Sequence, residues 1–265
     1  VPTSPSAVLE ISAFARELAD AERTRTQIAP LSARAALTAA DAYAIQLANV
    51  NRRIAAGERV VGKKVGLTAK PIQIALGVDQ PDFGHLFASM QLADGAECPV
   101  DALIQPRAEA EIGLILKRDL RGPGLTDLDV VDATECLVPT LEIVDSRITD
   151  WKITFVDTVA DNGSAARFVV GTQRTPPAGI DTRTVGVVFE KNGDLVGTGA
   201  GAAVLGASPY RAVAWLANTL ADAGLELKAG DVIMPGALCA MVPLGRGDTV
   251  RADFGVLGSV SVRFV

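Results

Sequence analysis

One stretch restricts the fold more than any other: Arg107-Ala108-Glu109-Ala110-Glu111-Ile112-Gly113-Leu114-Ile115-Leu116. Its alternation suits a β-strand, whose side chains point to opposite faces in turn. Glu109 and Glu111 then share one face, while Ala110, Ile112, Leu114 and Leu116 share an apolar face suited to a core. Two carboxylates side by side repel. A divalent cation, a neighbouring Lys or Arg, or open solvent must offset them. Pro139-Thr140-Leu141-Glu142-Ile143-Val144-Asp145 reads as a second strand, with Glu142 between apolar neighbours. If the two strands lie together, Glu109, Glu111 and Glu142 offer three hard oxygen ligands, the kind that suits Mg²⁺ or Mn²⁺. The plainer alternative is three solvent-facing glutamates on half-exposed strands, since E-x-E is a common string.

The rest of the chain narrows the class. With 265 residues, 49% of them hydrophobic, it can bury a sizeable core as one large domain or two small ones. A net charge of −6 argues against nucleic acid or an anionic membrane as partner. There is no apolar run of about 18 residues to make a transmembrane helix. The opening Val1-Pro2-Thr3-Ser4-Pro5-Ser6 lacks the basic and apolar regions of a signal peptide. Cys98, Cys136 and Cys239 are odd in number and widely spaced, which gives neither a disulfide framework nor a zinc pattern and fits a reducing cytoplasm. The single histidine, His85, excludes a His-rich metal site. Acid–base chemistry must rest mostly on carboxylates, lysine and metal-bound water.

Helical spacing over 7–23 (Val8, Ile11, Phe14, Ala15, Leu18) predicts an amphipathic helix. Residues 25–37 look irregular. Thr38 with Asp41 predicts a capping box opening a second helix, with Tyr43, Leu47, Val50 and Ile54 as its buried stripe and Gly57 as its end. Arg59 to Leu67 reads as a strand interrupted by glycines, followed by a short helix from Pro71 to Leu76. Residues 77–100 read as loop with one helical turn. Thr126 starts a helix expected to run to about Cys136, and Ser146 to Ser164 is a polar stretch. Beyond it the pattern turns to β. Val185–Glu190 and Leu195–Gly197 flank the hairpin signal Asn192-Gly193, and three more strands are expected near 231–234, 249–254 and 259–264. A helix over 209–222 presents Val213, Leu216, Ala217 and Leu220. Strands and helices do not alternate regularly, so the class expected is α+β. Residues 1–95 form an α-rich N-terminal part and 96–265 a β-rich body carrying the glutamates, together one functional unit.

Several motifs carry a family resemblance. They are Gly62-Lys63-Lys64-Val65-Gly66-Leu67-Thr68, Val78-Asp79-Gln80-Pro81-Asp82-Phe83-Gly84, Gln105 to Ile112, Glu142 to Arg147, Asp150-Trp151-Lys152, Asp157 to Asn162 and Gly199 to Gly206. Together they resemble the 2-hydroxypenta-2,4-dienoate (2-oxopent-4-enoate) hydratases of the fumarylacetoacetate hydrolase-like superfamily, over essentially the whole chain. The resemblance implies a mixed β-roll body and a Mg²⁺ or Mn²⁺ site at Glu109, Glu111 and Glu142. It places Lys64 and Asp82 in the pocket as acid–base groups, with Ser164 as a further polar pocket residue. Taken alone, Lys64 would be half of a solvated pair with Lys63, and Asp82 a turn aspartate. The superfamily's 4-oxalocrotonate decarboxylases share the glutamates and the lysine. The Gln80–Phe83, Gln105–Arg107 and Asp150–Lys152 stretches favour a hydratase. A non-catalytic partner of such an enzyme is the remaining alternative, disfavoured because all five candidate groups stand in one chain.

A 2-hydroxy-dienoate substrate is implied, with a homo-oligomer of pentameric rings (pentamer or decamer) and association with the pathway decarboxylase. His85 is either a substrate contact or structural. Trp151 either walls the pocket or packs at a subunit contact. The glycine run at 199–206 has no nucleotide-loop pattern.

Overall fold

Helix α1 (Pro5–Thr24) turns Phe14, Ala15 and Leu18 inward, as its spacing predicts. The computed structural model of the chain describes residues 5–265. The signal-peptide reading falls largely on Val1–Ser4, and one position of the α1 stripe is the side chain of Val8. Both lie outside the described residues. Thr38 caps α2 (Ala39–Ala55) through the expected box: its hydroxyl accepts the Asp41 N–H, and Asp41 accepts the Thr38 N–H. The inward stripe of α2 differs from the expected one. It is Ala42, Ile45, Gln46 and Val50, with Tyr43 and Leu47 half-buried and Ile54 exposed. The cause is Gln46, a polar residue at the centre of the inward face. Its amide nitrogen donates to Phe83 O at 2.9 Å and to Val159 O at 2.8 Å.

β1 (Val60–Gly66) and α3 (Lys70–Leu76) follow as read. The segment read as loop contains β2 (Asp82–Phe87), every residue of which is buried. A strand covered on both faces shows no alternation. Gly84 is a packing glycine rather than a loop glycine, since a Cβ there would stand 2.3 Å from Asn162 O. Then come β3 (Gln91–Leu92), β4 (Glu97–Cys98) and the long β5 (Arg107–Leu116). α4 (Asp127–Ala133) stops short of Cys136, because β6 (Thr134–Val144) has already begun. α5 (Phe155–Ala160) and β7 (Ala165–Val170) precede the hairpin of β8 (Gly186–Lys191) and β9 (Asp194–Ala200). Asn192 and Gly193 sit at its turn with φ of 58° and 87°. α6 (Pro209–Asp222), β10 (Val232–Met234), β11 (Val242–Pro243), β12 (Thr249–Asp253) and β13 (Ser259–Phe264) complete the chain.

The result is an α+β fold on two sheets. An eight-stranded sheet runs β2-β1-β10-β5-β6-β7-β3, with β11 also pairing with β5, and a five-stranded sheet runs β4-β13-β12-β8-β9. Ala110, Ile112 and Leu114 of β5 join the main core with residues of the second sheet and with Leu216 and Leu220 of α6. The opposite face of β5 carries the glutamates. Further along that face, Ile115 packs in a second cluster with Val50 of α2. α1, α2 and α5 share a third apolar cluster around Leu31 and Ile45. β1 and β2, from the α-rich first part, thus enter the same sheet as β5 and β6. No helix among the described residues is long and apolar enough to cross a membrane.

Candidate metal centre

Strand register brings the three glutamates together. β5 and β6 are antiparallel neighbours with Glu109 directly opposite Glu142, and Glu111 follows two residues on, opposite Thr140. One carboxylate oxygen from each lies within 4.8 Å of the others. Glu111 and Glu142 are buried and Glu109 is half-buried, so solvent-facing glutamates are not what the fold makes. Glu111 Oε2 accepts the Gly236 N–H at 2.7 Å. Glu111 Oε1 and both oxygens of Glu142 accept no hydrogen bond from the described residues. Buried carboxylate oxygens without donors are costly, and a hard divalent cation is the group that three such oxygens fit. Burial is the first cause that pushes all three carboxyls above their ordinary range, Glu142 to about 7 and Glu111 well above. Repulsion within the carboxylate group adds to this.

Lys64 is the main opposing charge. Its Nζ stands 3.4 Å from Glu142 Oε1, an ion pair, while its hydrogen bond goes to Gly163 O at 2.9 Å. Burial alone would lower its pKa. Glu142, Asp82, Glu109 and Glu111 outweigh burial, so the ammonium form is held. Alternation along β1 sends Lys63 to the other face, where Asp231 and His85 are its charged and titratable neighbours. Asp82 opens β2 opposite Gly66. The Thr158 hydroxyl donates to its Oδ2 at 3.1 Å, and Oδ1 has no partner among the described residues. Burial pushes this carboxyl up, with Lys64 opposing.

Two glycines make this approach possible. A Cβ on Gly66 would stand 2.1 Å from Asp82 Oδ1 and 3.1 Å from Lys64 Nζ, and one on Gly163 would stand 3.0 Å from Lys64 Cδ. Sequence reasoning missed Gly66 and Thr158 as parts of the site. Gly66 left a signal, being two residues from Lys64 and therefore on its face of the strand. Ser164 is buried with φ of 56°, and its hydroxyl donates to Asp161 Oδ2 at 3.2 Å. It anchors the turn whose Gly163 carbonyl receives Lys64. His85 is buried under α2, its Nδ1 3.1 Å from Gln46 Oε1. Burial, with Lys63 nearby, pushes its pKa down to about 3, so its ring is neutral.

Comparison with known proteins shows what this chain is similar to. The sequence model of the fumarylacetoacetate (FAA) hydrolase C-terminal family matches residues 60–265. The 2-hydroxyhexa-2,4-dienoate hydratase of Comamonas testosteroni is 49% identical over 94% of this chain and 95% of its own. The 2-hydroxypent-2,4-dienoate hydratase of Pseudomonas putida is 52% identical over 81% of this chain and 97% of its own. Among solved structures, the 4-oxalocrotonate decarboxylase from Pseudomonas putida G7, complexed with magnesium and adipate, has a TM-score of 0.95 at 39% identity over 100% of both chains.

Proposed function

The chain belongs to the fumarylacetoacetate (FAA) hydrolase family, and on that premise we propose that it is a metal-dependent hydro-lyase that adds water to 2-hydroxypenta-2,4-dienoate. The product is 4-hydroxy-2-oxopentanoate, an intermediate of meta-cleavage catabolism of aromatic compounds. The observation that carries this reading is the cluster of half-buried Glu109 with buried Glu111 and Glu142, the latter two with unpartnered oxygens, beside a lysine ammonium and an unsatisfied aspartate. Relatives at 49% and 52% identity carry hydratase names, against 39% for the decarboxylase.

Glu109, Glu111 and Glu142 would hold a Mg²⁺ or Mn²⁺ ion, which would supply Lewis-acid stabilisation of negative charge on the substrate's 2-oxygen. Beside Glu142, Lys64 adds a fixed positive charge, which also favours negative charge on the bound substrate. Asp82 exchanges a proton at the far end of the substrate through its free Oδ1. The enol O–H proton leaves and a proton joins C5, giving a 2-oxo-3-enoate. Water then adds across C3 and C4, its oxygen joining C4 and a proton joining C3. Ser164 enters through the turn that holds Lys64. The parts 1–95 and 96–265 act as one unit, the first supplying Lys64 and Asp82 and the second the glutamates. We take the working particle to be a cytoplasmic homo-oligomer, a pentamer or decamer, able to associate with the pathway decarboxylase. Light scattering after size exclusion would measure its size.

An ultraviolet assay tests the activity. Loss of the dienol with Mg²⁺ or Mn²⁺, appearance of 4-hydroxy-2-oxopentanoate by mass and NMR, and abolition by EDTA are expected. An inert dienol, with 2-oxo-3-hexenedioate losing CO₂ instead, would establish the decarboxylase.

A further inference from the structure

Arg107 and Trp151 have no part in the chemistry above, yet the fold brings them together at its edge. Arg107 lies on the face of β5 that carries Glu109 and Glu111, two residues before the first of them. Its guanidinium stacks on the Trp151 ring, 4.6 Å from the centroid, with Nη1 3.9 Å from Met241 Sδ. Trp151 is itself fixed. Its backbone sits in the left-handed region with φ of 58°, and its indole N–H donates to Gln105 O at 3.1 Å. Arg147 is matched by Asp161 and Arg53 by Glu58, whereas half-buried Arg167 bonds only the Ala166 carbonyl among the described residues. Arg107 has no carboxylate partner among the described residues. It is near enough to Glu109 to act against the upward push of burial on that carboxyl.

Exposure gives the site a direction. Arg107, Glu109, Trp151 and Met241 are all half-buried. Lys64, Asp82, Glu111 and Glu142 are at most 4% exposed. The site therefore opens at the Arg107 end and is closed at the Asp82 end.

We propose that Arg107, held flat against Trp151, receives the carboxylate of the incoming 2-oxo or 2-hydroxy acid, so that the substrate lies with its carboxylate at the mouth and its C4–C5 end at Asp82. The proposal rests on the hydratase reading of the site. A planar guanidinium presents paired N–H donors that match a carboxylate. Stacking fixes its plane before the ligand arrives, which lowers the ordering cost of binding. The orientation also delivers the substrate's far end to the free oxygen of Asp82.

Calorimetric titration with 2-oxopentanoate, a saturated analogue that cannot be hydrated, tests it on Mg²⁺-loaded wild type, Arg107→Met and Arg107→Lys. Mg²⁺ binding is measured separately on each protein. The methionine variant keeps an apolar chain against Trp151, and the lysine variant keeps the charge without the fork. Arg107→Met should weaken 2-oxopentanoate by about 10- to 100-fold, the range for a charged hydrogen-bond partner, and Arg107→Lys by less. Mg²⁺ affinity should not weaken, since removing a nearby positive charge favours a cation. 2-Oxohexanedioate should lose the same factor, because it shares the 2-oxo acid end. Equal 2-oxopentanoate affinity in all three proteins would overturn the proposal. So would a loss confined to the dioate, which would put Arg107 at a distal carboxylate. Failure of the hydration assay with these binding effects intact overturns the hydratase reading alone. Successful hydration with unaffected binding overturns only the role of Arg107.

Discussion

Asp82 is held by one oxygen and free at the other. Thr158 fixes Oδ2, and Oδ1 is buried without a partner. A proton can therefore come and go at Oδ1 without rebuilding the neighbours. Asp82→Asn keeps the shape and removes the acid, so kcat should fall by roughly 10²–10⁴-fold, with Mn²⁺ affinity retained by calorimetry. Near-wild-type turnover would remove Asp82 from the mechanism. Gly66 is the other single residue on which the site depends. An alanine methyl would need the space 2.1 Å from Asp82 Oδ1 and 3.1 Å from Lys64 Nζ. Both side chains must move. Gly66→Ala should cost on the order of 10²-fold in kcat, the scale for a misplacement of about 1 Å, while circular dichroism shows the fold retained. A Gly66→Ala protein with unchanged kcat would mean the two groups need not sit where they do.

At the scale of the element, α5 presents Thr158 and is only six residues long, too short to hold its shape alone. Asp157 holds it. It accepts the Thr154 N–H and hydroxyl at 2.9 and 2.8 Å, and the Ser32 N–H and hydroxyl at 3.0 and 2.6 Å. Burial acts to raise this carboxyl, but the Ser32 and Thr154 bonds outweigh it and hold its pKa below the usual aspartate value. A carboxyl lowered by folding stabilises fully above its unfolded value, and that stabilisation is lost as pH falls through the native value. Asp157→Ala should cost about 1–2 kcal/mol in urea unfolding at neutral pH, and the gap to wild type should close on strong acidification. A gap independent of pH would assign the loss to packing. Elements also set what the sequence could reveal. The E-x-E face, the Thr38 box and the Asn192-Gly193 hairpin are legible because each is written in a few consecutive residues. β2 is not, because burial on both faces erases its period. The end of α4 is missed because apolar residues around Cys136 continue into a strand. Lys64 and Asp82 are legible only through family resemblance, since their meeting with Glu142 depends on the order of strands in a sheet.

In the whole molecule, the segment shared with the family begins at Val60, the first residue of β1. β1 lies between β2 and β10 in the large sheet. A fragment of residues 96–265 would keep the glutamates but bare the β10 edge, and an unpaired buried edge invites aggregation. That fragment should be insoluble or disperse by light scattering, and a monomeric, cooperatively folded one would contradict the sheet order. The intact chain should gain from its ion: saturation at about 100 times Kd is worth about 2.7 kcal/mol, read as a rise in Tm that EDTA reverses. The helical layer ahead of Val60 reaches this machinery through Gln46, whose one amide nitrogen holds both Phe83 O of β2 and Val159 O of α5. Lifting α2 must break both bonds at once. In hydrogen exchange, the strand that carries Asp82 and the helix that carries Thr158 should then open as a single event, so the acid and its support come loose together.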